Sequence, residues 1–156
     1  MGIEYRKGSL FESAGKGVVL THAVNAQGRW SAGIASEFYR RYKEGFKQYN
    51  SACMSSKGGY NERSPLVGTA FIVEDTDKIG CLVTSNSYGG QVDGPSLIIA
   101  QTKTAVRELL TLTDLEIHSN KFNSGLFRVD WEKTEAVIEE ELKALGKDRK
   151  WVVWDF

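Results

Sequence analysis

A chain of 156 residues, 41% hydrophobic and 26% charged, suits one globular domain that buries roughly 68–70% of its unfolded surface without a disulfide or metal staple. Twenty Lys and Arg balance twenty Asp and Glu, which excludes a broad cationic face for a stable nucleic-acid partner. An anionic ligand would have to be held locally, by loop amides and helix N-termini.

Cys53 and Cys81 form no CxxC, and with His22 and His118 they lack zinc-ligand spacing. No carboxylate cluster suits two metal ions, so neither a metal nor a cofactor is expected. The start, MGIEYRKGSL, has no signal-like apolar region, and no apolar run approaches about 18 residues. A reduced, cytoplasmic, monomeric protein away from membranes is the expectation.

Ile3–Lys7 reads as a short edge strand stopped by Gly8. Gly17–Ala23 is an apolar, β-branched run, the pattern of a buried strand. A glycine-rich loop spans Asn25 to Gly33. From Ile34 to about Lys57, Phe38, Tyr42, Phe46, Tyr49 and Cys53 recur at helical spacing, predicting a helix with a break at Gly45 and an end at Gly58-Gly59. Val67–Glu74 and Ile79–Ser85 read as a hairpin around Asp75-Thr76-Asp77. After the loop Asn86–Gly94, Pro95 opens a helix to about Leu110 with Ile98, Ala105 and Leu109 on one stripe. Leu115–His118 is a short strand and Ser119–Arg128 a polar loop. Asp130 is a candidate N-cap for a helix that buries Ile138 and Leu142 and stops at Gly146. Trp151–Trp154 is the last strand. Strands alternating with helices predict an α/β fold with a mixed sheet between helical layers. In such sheets ligands lie beyond the strands' carboxyl ends, here at loops 24–33, 85–94 and 119–128.

Those loops carry the site-like residues. His22 and Asn25 come at the end of a buried strand, and Trp30 lies in the loop that follows. Ser31, Ala32 and Gly33 lead into a helix, so backbone amides there can approach a phosphate. The alternative is a glycine-rich turn in which Asn25 bonds its own loop. Asn123-Ser124-Gly125-Leu126-Phe127 offers consecutive amides, or else an ordinary turn at Gly125. Thr84-Ser85-Asn86-Ser87-Tyr88 supplies hydroxyls and a ring, or else a solvated loop. Taken alone, His22 and His118 are more often structural in apolar strands. Glu139-Glu140-Glu141 is the wet face of the last helix.

These residues resemble a known family. Lys7-Gly8-Ser9-Leu10, the strand ending His22-Ala23-Val24-Asn25, Trp30 to Ala35, Cys81 to Ser85, and Asn123 to Phe127 with Trp131-Glu132 look like a macrodomain over essentially the whole chain. The resemblance is strongest to fungal-type ADP-ribose-1″-phosphate phosphatases, whose branch includes the terminal ADP-ribose protein glycohydrolase. It implies a three-layer α/β/α fold with ADP-ribose in a cleft at the strand ends. Gly8-Ser9-Leu10 would lie near adenine. Asn25 and Gly33-Ile34-Ala35 would flank the distal ribose and pyrophosphate. Asn123, Ser124, Gly125, Leu126 and Phe127 would form a second phosphate loop, with Trp30 and Ser85 as further ligand contacts. Two departures stand out. Ser9 replaces an Asp that holds the adenine amino group in many macrodomains. Ser85 and Phe127 replace the glycohydrolase's Lys and Asp, so its covalent mechanism does not carry over.

The resemblance implies hydrolysis of ADP-ribose-1″-phosphate, a by-product of tRNA splicing, to ADP-ribose and phosphate. Neutral-pH proton transfer suits His22, with Asn25 orienting the ribose and Asp93 as a second candidate base. The alternatives are a non-catalytic ADP-ribose reader and an ADP-ribosyl hydrolase acting on protein or nucleic acid.

Overall fold

The computed structural model describes residues 2–57 and 62–155. Six segments are strands: β1 (Ile3–Lys7), β2 (Val19–Asn25), β3 (Ala70–Glu74), β4 (Lys78–Ser85), β5 (Ile117–Ser119) and β6 (Trp151–Asp155). They form one sheet in the order β1-β6-β5-β2-β4-β3. Every neighbouring pair is parallel except β3 with β4, the hairpin that the sequence predicts. The central strands are apolar along their length because both faces are covered: six of seven residues of β2 are buried, and seven of eight of β4.

Helices α1 (Gly33–Arg41) and α2 (Lys43–Ser55) cover one face, and α3 (Pro95–Leu112) and α4 (Trp131–Leu145) the other. The result is the expected three-layer α/β/α arrangement around a mixed sheet. Strand alternation sorts the core between layers. Leu20 and Val24 of β2 pack under α1 and α2 with Phe38, Tyr49 and Cys53, while Val19 faces Ala105, Leu109 and Ile138. Each such side chain contributes roughly 1.5–3 kcal/mol on burial. Exposed pairs such as Lys47–Glu44 and Lys78–Glu74 are solvated and screened, and add little. The two apolar clusters therefore hold the layers together.

Several boundaries differ from the periodicity. The long helix breaks at Tyr42, between α1 and α2, and not at Gly45. Gly45 is buried inside α2, where a Cβ would come 3.0 Å from Ile79 Cδ1, and its N–H donates to Asp75 Oδ2 at 2.9 Å. Close helix–strand approach keeps this glycine in the helix, and the hairpin turn caps it. The expected stop at Gly58-Gly59 lies outside the described residues. The strand expected from Val67 starts at Ala70, after a turn in which Gly68 has φ +83°. The strand expected at 115–118 is Ile117–Ser119, and the first buried strand continues to Asn25. Asp130 occupies the N-cap of α4, but its carbonyl rather than its side chain accepts, from Lys133 N–H at 3.1 Å. Gly146 ends α4 in the left-handed region at φ +70°.

Candidate functional site

The carboxyl ends of β2 and β5 open into a cleft of about 370 Å3. Ala23, Val24 and Asn25 line its bottom, Arg29 with residues 31–35 forms one wall and residues 120–123 with 125–128 the other, and Tyr88 and Gly89 lie at one end. Arg29, Lys121 and Arg128 line it, and among the described residues no carboxylate does. A chain of zero formal charge thus concentrates three cations where the strands end. Lys121 is paired with Asp155 at 3.0 Å, whereas Arg128 has no carboxylate partner among the described residues.

The wall at 31–35 is the start of α1. Its N-cap, Ala32, supplies no side-chain bond, so the first-turn N–H groups of Gly33, Ile34 and Ala35 have no capping side chain and border the cleft. Gly33 has φ +59°, and a Cβ there would lie 3.4 Å from Leu126 Cδ1 of the facing wall. Left-handed geometry and this close approach both favour glycine.

The loops are held from behind. The Asn25 amide oxygen accepts from Gln27 N–H at 2.9 Å and from the Tyr49 hydroxyl at 3.1 Å, and its Nδ2 donates to Arg29 O at 2.9 Å. Asn123 has φ +67° and anchors the other wall. Its Oδ1 accepts from Thr84 Oγ1 at 2.9 Å, and its Nδ2 donates to Thr102 Oγ1 at 2.9 Å and Thr134 Oγ1 at 3.3 Å. The β2–β4 register slips between Val24 and Asn25, so Asn25 pairs with Ser85. Such a bulge re-aims strand ends beside a site.

Comparison with known proteins agrees with this geometry. No family model matches the chain. The ADP-ribose 1″-phosphate phosphatase of Lodderomyces elongisporus is 35% identical, spanning 90% of this chain and 92% of that protein. The protein of the same name from Candida albicans is 32% identical, over 88% and 92%. The chain belongs to the ADP-ribose 1″-phosphate phosphatase family. The fold is that of the macrodomains. The macrodomain of Mycobacterium tuberculosis DarG superposes with a TM-score of 0.79 at 22% identity, covering 100% of this chain and 99% of that one. Thermosipho africanus DarTG in complex with ADP-ribose gives 0.73 at 12% identity, over 99% of this chain and 42% of that one.

Within this phosphatase-family cleft the structure gathers Asn25, Gly33, Ile34, Ala35, Asn123, Gly125, Leu126 and Phe127. Other expected contacts lie elsewhere. His22 is fully buried, its ring stacked on Phe38 at 3.9 Å between centroids and edge-on to Trp30 at 4.9 Å. It projects to the α1–α2 side of β2. Neither ring nitrogen has a partner among the described residues, and burial lowers its pKa to about 3. A neutral ring sealed from the cleft does not serve as its acid or base. Trp30 stacks on Tyr49 at 4.9 Å in the same buried cluster, so it is core and not a ligand contact.

Asp93 does not line the cleft. Its carboxylate accepts from Arg63 at 2.8 Å, from Asn86 N–H at 2.9 Å and from Gln101 at 3.1 Å. Burial pushes its pKa up, but Arg63, Asn86 and Gln101 outweigh this and hold it below the usual carboxylate range. Asp93 thus staples loop 86–94 instead of acting as a base. Ser85 is buried, accepting from Asp93 N–H at 3.1 Å and donating to Ser87 O at 2.8 Å.

Gly8, Ser9 and Leu10 do not line the cleft either. Gly8 turns at φ +126°, and Leu10 is core. Ser9 and Glu12 form a reciprocal capping box on residues 10–13: Ser9 Oγ accepts from Phe11 N–H, and the Glu12 carboxylate from Ser9 N–H. The Ser-x-x-Glu spacing signals this in the sequence. Ser124 donates to Lys121 O and shapes its loop from within.

Sequence reasoning missed Arg29, Lys121 and Arg128. Their signal is position: each basic residue sits inside or beside a glycine- and asparagine-rich loop. It also missed Asn120, which lines the cleft and whose Oδ1 is buried without a partner among the described residues.

Proposed function

We propose that this protein binds ADP-ribose in the cleft and hydrolyses ADP-ribose-1″-phosphate to ADP-ribose and phosphate. The observation that carries the reading is the pairing of two facing loops across a cleft lined by cations. One wall presents the open first-turn amides of α1, the other the backbone around Gly125, and three basic side chains flank them. An elongated ligand with a central diphosphate fits that arrangement: charge on the amides, sugar against Asn25, and apolar faces against Ile34 and Phe127.

Phosphoryl transfer places little covalent demand on the protein. Catalysis comes from positioning and from stabilising charge as it develops. Here the cations and amides would hold the phosphate while water attacks phosphorus in line with the departing ribose oxygen. Consistent with this reading, the reaction clears a by-product of tRNA splicing in the cytoplasm, and the protein works as a monomer.

One observation favours the second reading, a non-catalytic reader: among the described residues no carboxylate, histidine or thiol lines the cleft. Incubation with ADP-ribose-1″-phosphate separates the two. Phosphate release with micromolar-range or tighter ADP-ribose binding by calorimetry supports the phosphatase. Equal ADP-ribose binding with no release above the blank supports the reader, and no binding removes both.

A further inference from the structure

The cleft is electrically lopsided. At the β6 end, Lys121 is neutralised by Asp155 at 3.0 Å. At the opposite end, Arg29 from the loop after β2 meets Tyr88 from the loop after β4. Arg29 Nε donates to the Tyr88 hydroxyl at 3.0 Å, and the guanidinium lies 5.7 Å from the centroid of its ring. Both residues line the cleft, and among the described residues no carboxylate pairs with Arg29. Only Nε is engaged there, so the two terminal nitrogens keep their four N–H donors. The Tyr88 oxygen accepts from Arg29, and its own proton is therefore available to a third group. One N–H from each terminal nitrogen lies parallel to the other along the outer edge of the guanidinium, the two-pronged fork geometry that suits a phosphate, with the Tyr88 hydroxyl beside it.

The base of this fork is fixed. Asn25 Nδ2 holds the Arg29 carbonyl at 2.9 Å, and the Tyr49 hydroxyl holds the Asn25 carbonyl at 2.7 Å. The side chain itself is exposed and contributes little to the core.

We infer that Arg29, backed by Tyr88, is the anchor for the ligand's terminal phosphate and so sets preference for ADP-ribose-1″-phosphate over ADP-ribose. This rests on the functional reading above and adds the residue pair that discriminates substrate from product. The central diphosphate is served by backbone amides that both ligands use equally. The terminal phosphate is the only group that differs, and a charge-assisted fork responds to it alone.

The test compares wild type with Arg29→Gln, Arg29→Lys and Tyr88→Phe. KM for ADP-ribose-1″-phosphate is read from phosphate release, or its Kd from calorimetry if no release occurs, beside the Kd for ADP-ribose. Arg29→Gln is expected to weaken the phosphorylated ligand about tenfold or more beyond any loss it causes for ADP-ribose. Arg29→Lys should fall between, keeping charge and losing the fork, and Tyr88→Phe should lose a few-fold. Thermal midpoints should stay level, because the Arg29 side chain is outside the core. Equal weakening of both ligands, or no change in either, overturns the inference while leaving the functional reading intact. A wild type that binds neither ligand overturns both.

Discussion

Arg29 and Trp30 are neighbours in the chain and end in opposite environments. Trp30 turns inward to a buried aromatic cluster with His22, Phe38 and Tyr49, where rings stack and no charge is present. Arg29 turns outward into a cleft that, among the described residues, holds three cations and no carboxylate. The cluster is a packed floor and the cleft an open space lined by cations. Their adjacency anchors this loop: cleft-facing Arg29 is one step from Trp30, which is locked in the core. A residue with chemical potential, such as His22, can therefore belong wholly to the floor.

The sharpest test of that division is His22→Ala. Removing a fully buried ring that stacks on Phe38 should destabilise folding by about 2–5 kcal/mol, the range for large core truncations. Denaturant unfolding measures the loss, and kcat is then taken on the folded fraction. A drop in kcat of about 100-fold with stability and ADP-ribose affinity kept would move His22 from the floor to the chemistry.

Gly33→Val should act on the cleft instead. Its left-handed φ and the Leu126 contact oppose a β-branched side chain at the amides that a diphosphate would use. Ligand affinity is expected to fall about 100-fold, with the melting temperature lowered by only a few degrees. Calorimetry beside a thermal melt decides, and affinity kept within twofold would show that these amides do not meet the ligand.

Acid should weaken the floor before the cleft. The folded pKa of His22 is near 3, below the ordinary value of 6.5, so the unfolded chain binds the proton more readily. This contribution is fully present above pH 6.5 and is lost as pH falls toward the folded pKa, by about 2 kcal/mol at pH 5. Unfolding curves between pH 7 and 4.5 should show this slope, and His22→Phe should flatten it. An unchanged slope in the variant would trace the acid sensitivity to other groups.

Gly125→Val is the mildest probe. Gly125 has no left-handed φ, and a Cβ there meets nothing within 4 Å, so the fold should tolerate it. The added side chain narrows the space between the walls, and about a tenfold loss of ADP-ribose affinity is expected with stability unchanged. A lower melting temperature with full affinity would make Gly125 part of the scaffold.

Much of the fold is legible in the chain's local patterns. Apolar, β-branched runs mark β2 and β4, helical spacing marks the helices, and Gly146 marks a left-handed stop, because these depend on local sterics and on burying apolar faces. The loops that form the cleft are legible too, since dense glycine and asparagine between apolar runs serve no core. Gly45 misleads because its break signal is local, whereas its reason for being there is Ile79 on another strand. Ser9 misleads because the resemblance points to adenine, while Glu12, three residues on, claims it for a cap.

The sequence by itself determined the α/β alternation, the family and the three loops, all set by patterns within a few residues of one another. Tertiary structure alone decided which side of a strand each candidate occupies and what it meets there. His22 and Asn25 are three residues apart on one strand, yet His22 is sealed under Phe38 while Asn25, though buried, borders the cleft at the strand's end. Asp93 is stapled by Arg63, thirty positions away, and Arg29 meets Tyr88 only because two loops converge. Charge, burial and partner are set by what the fold brings from far along the chain, and no local spacing encodes them.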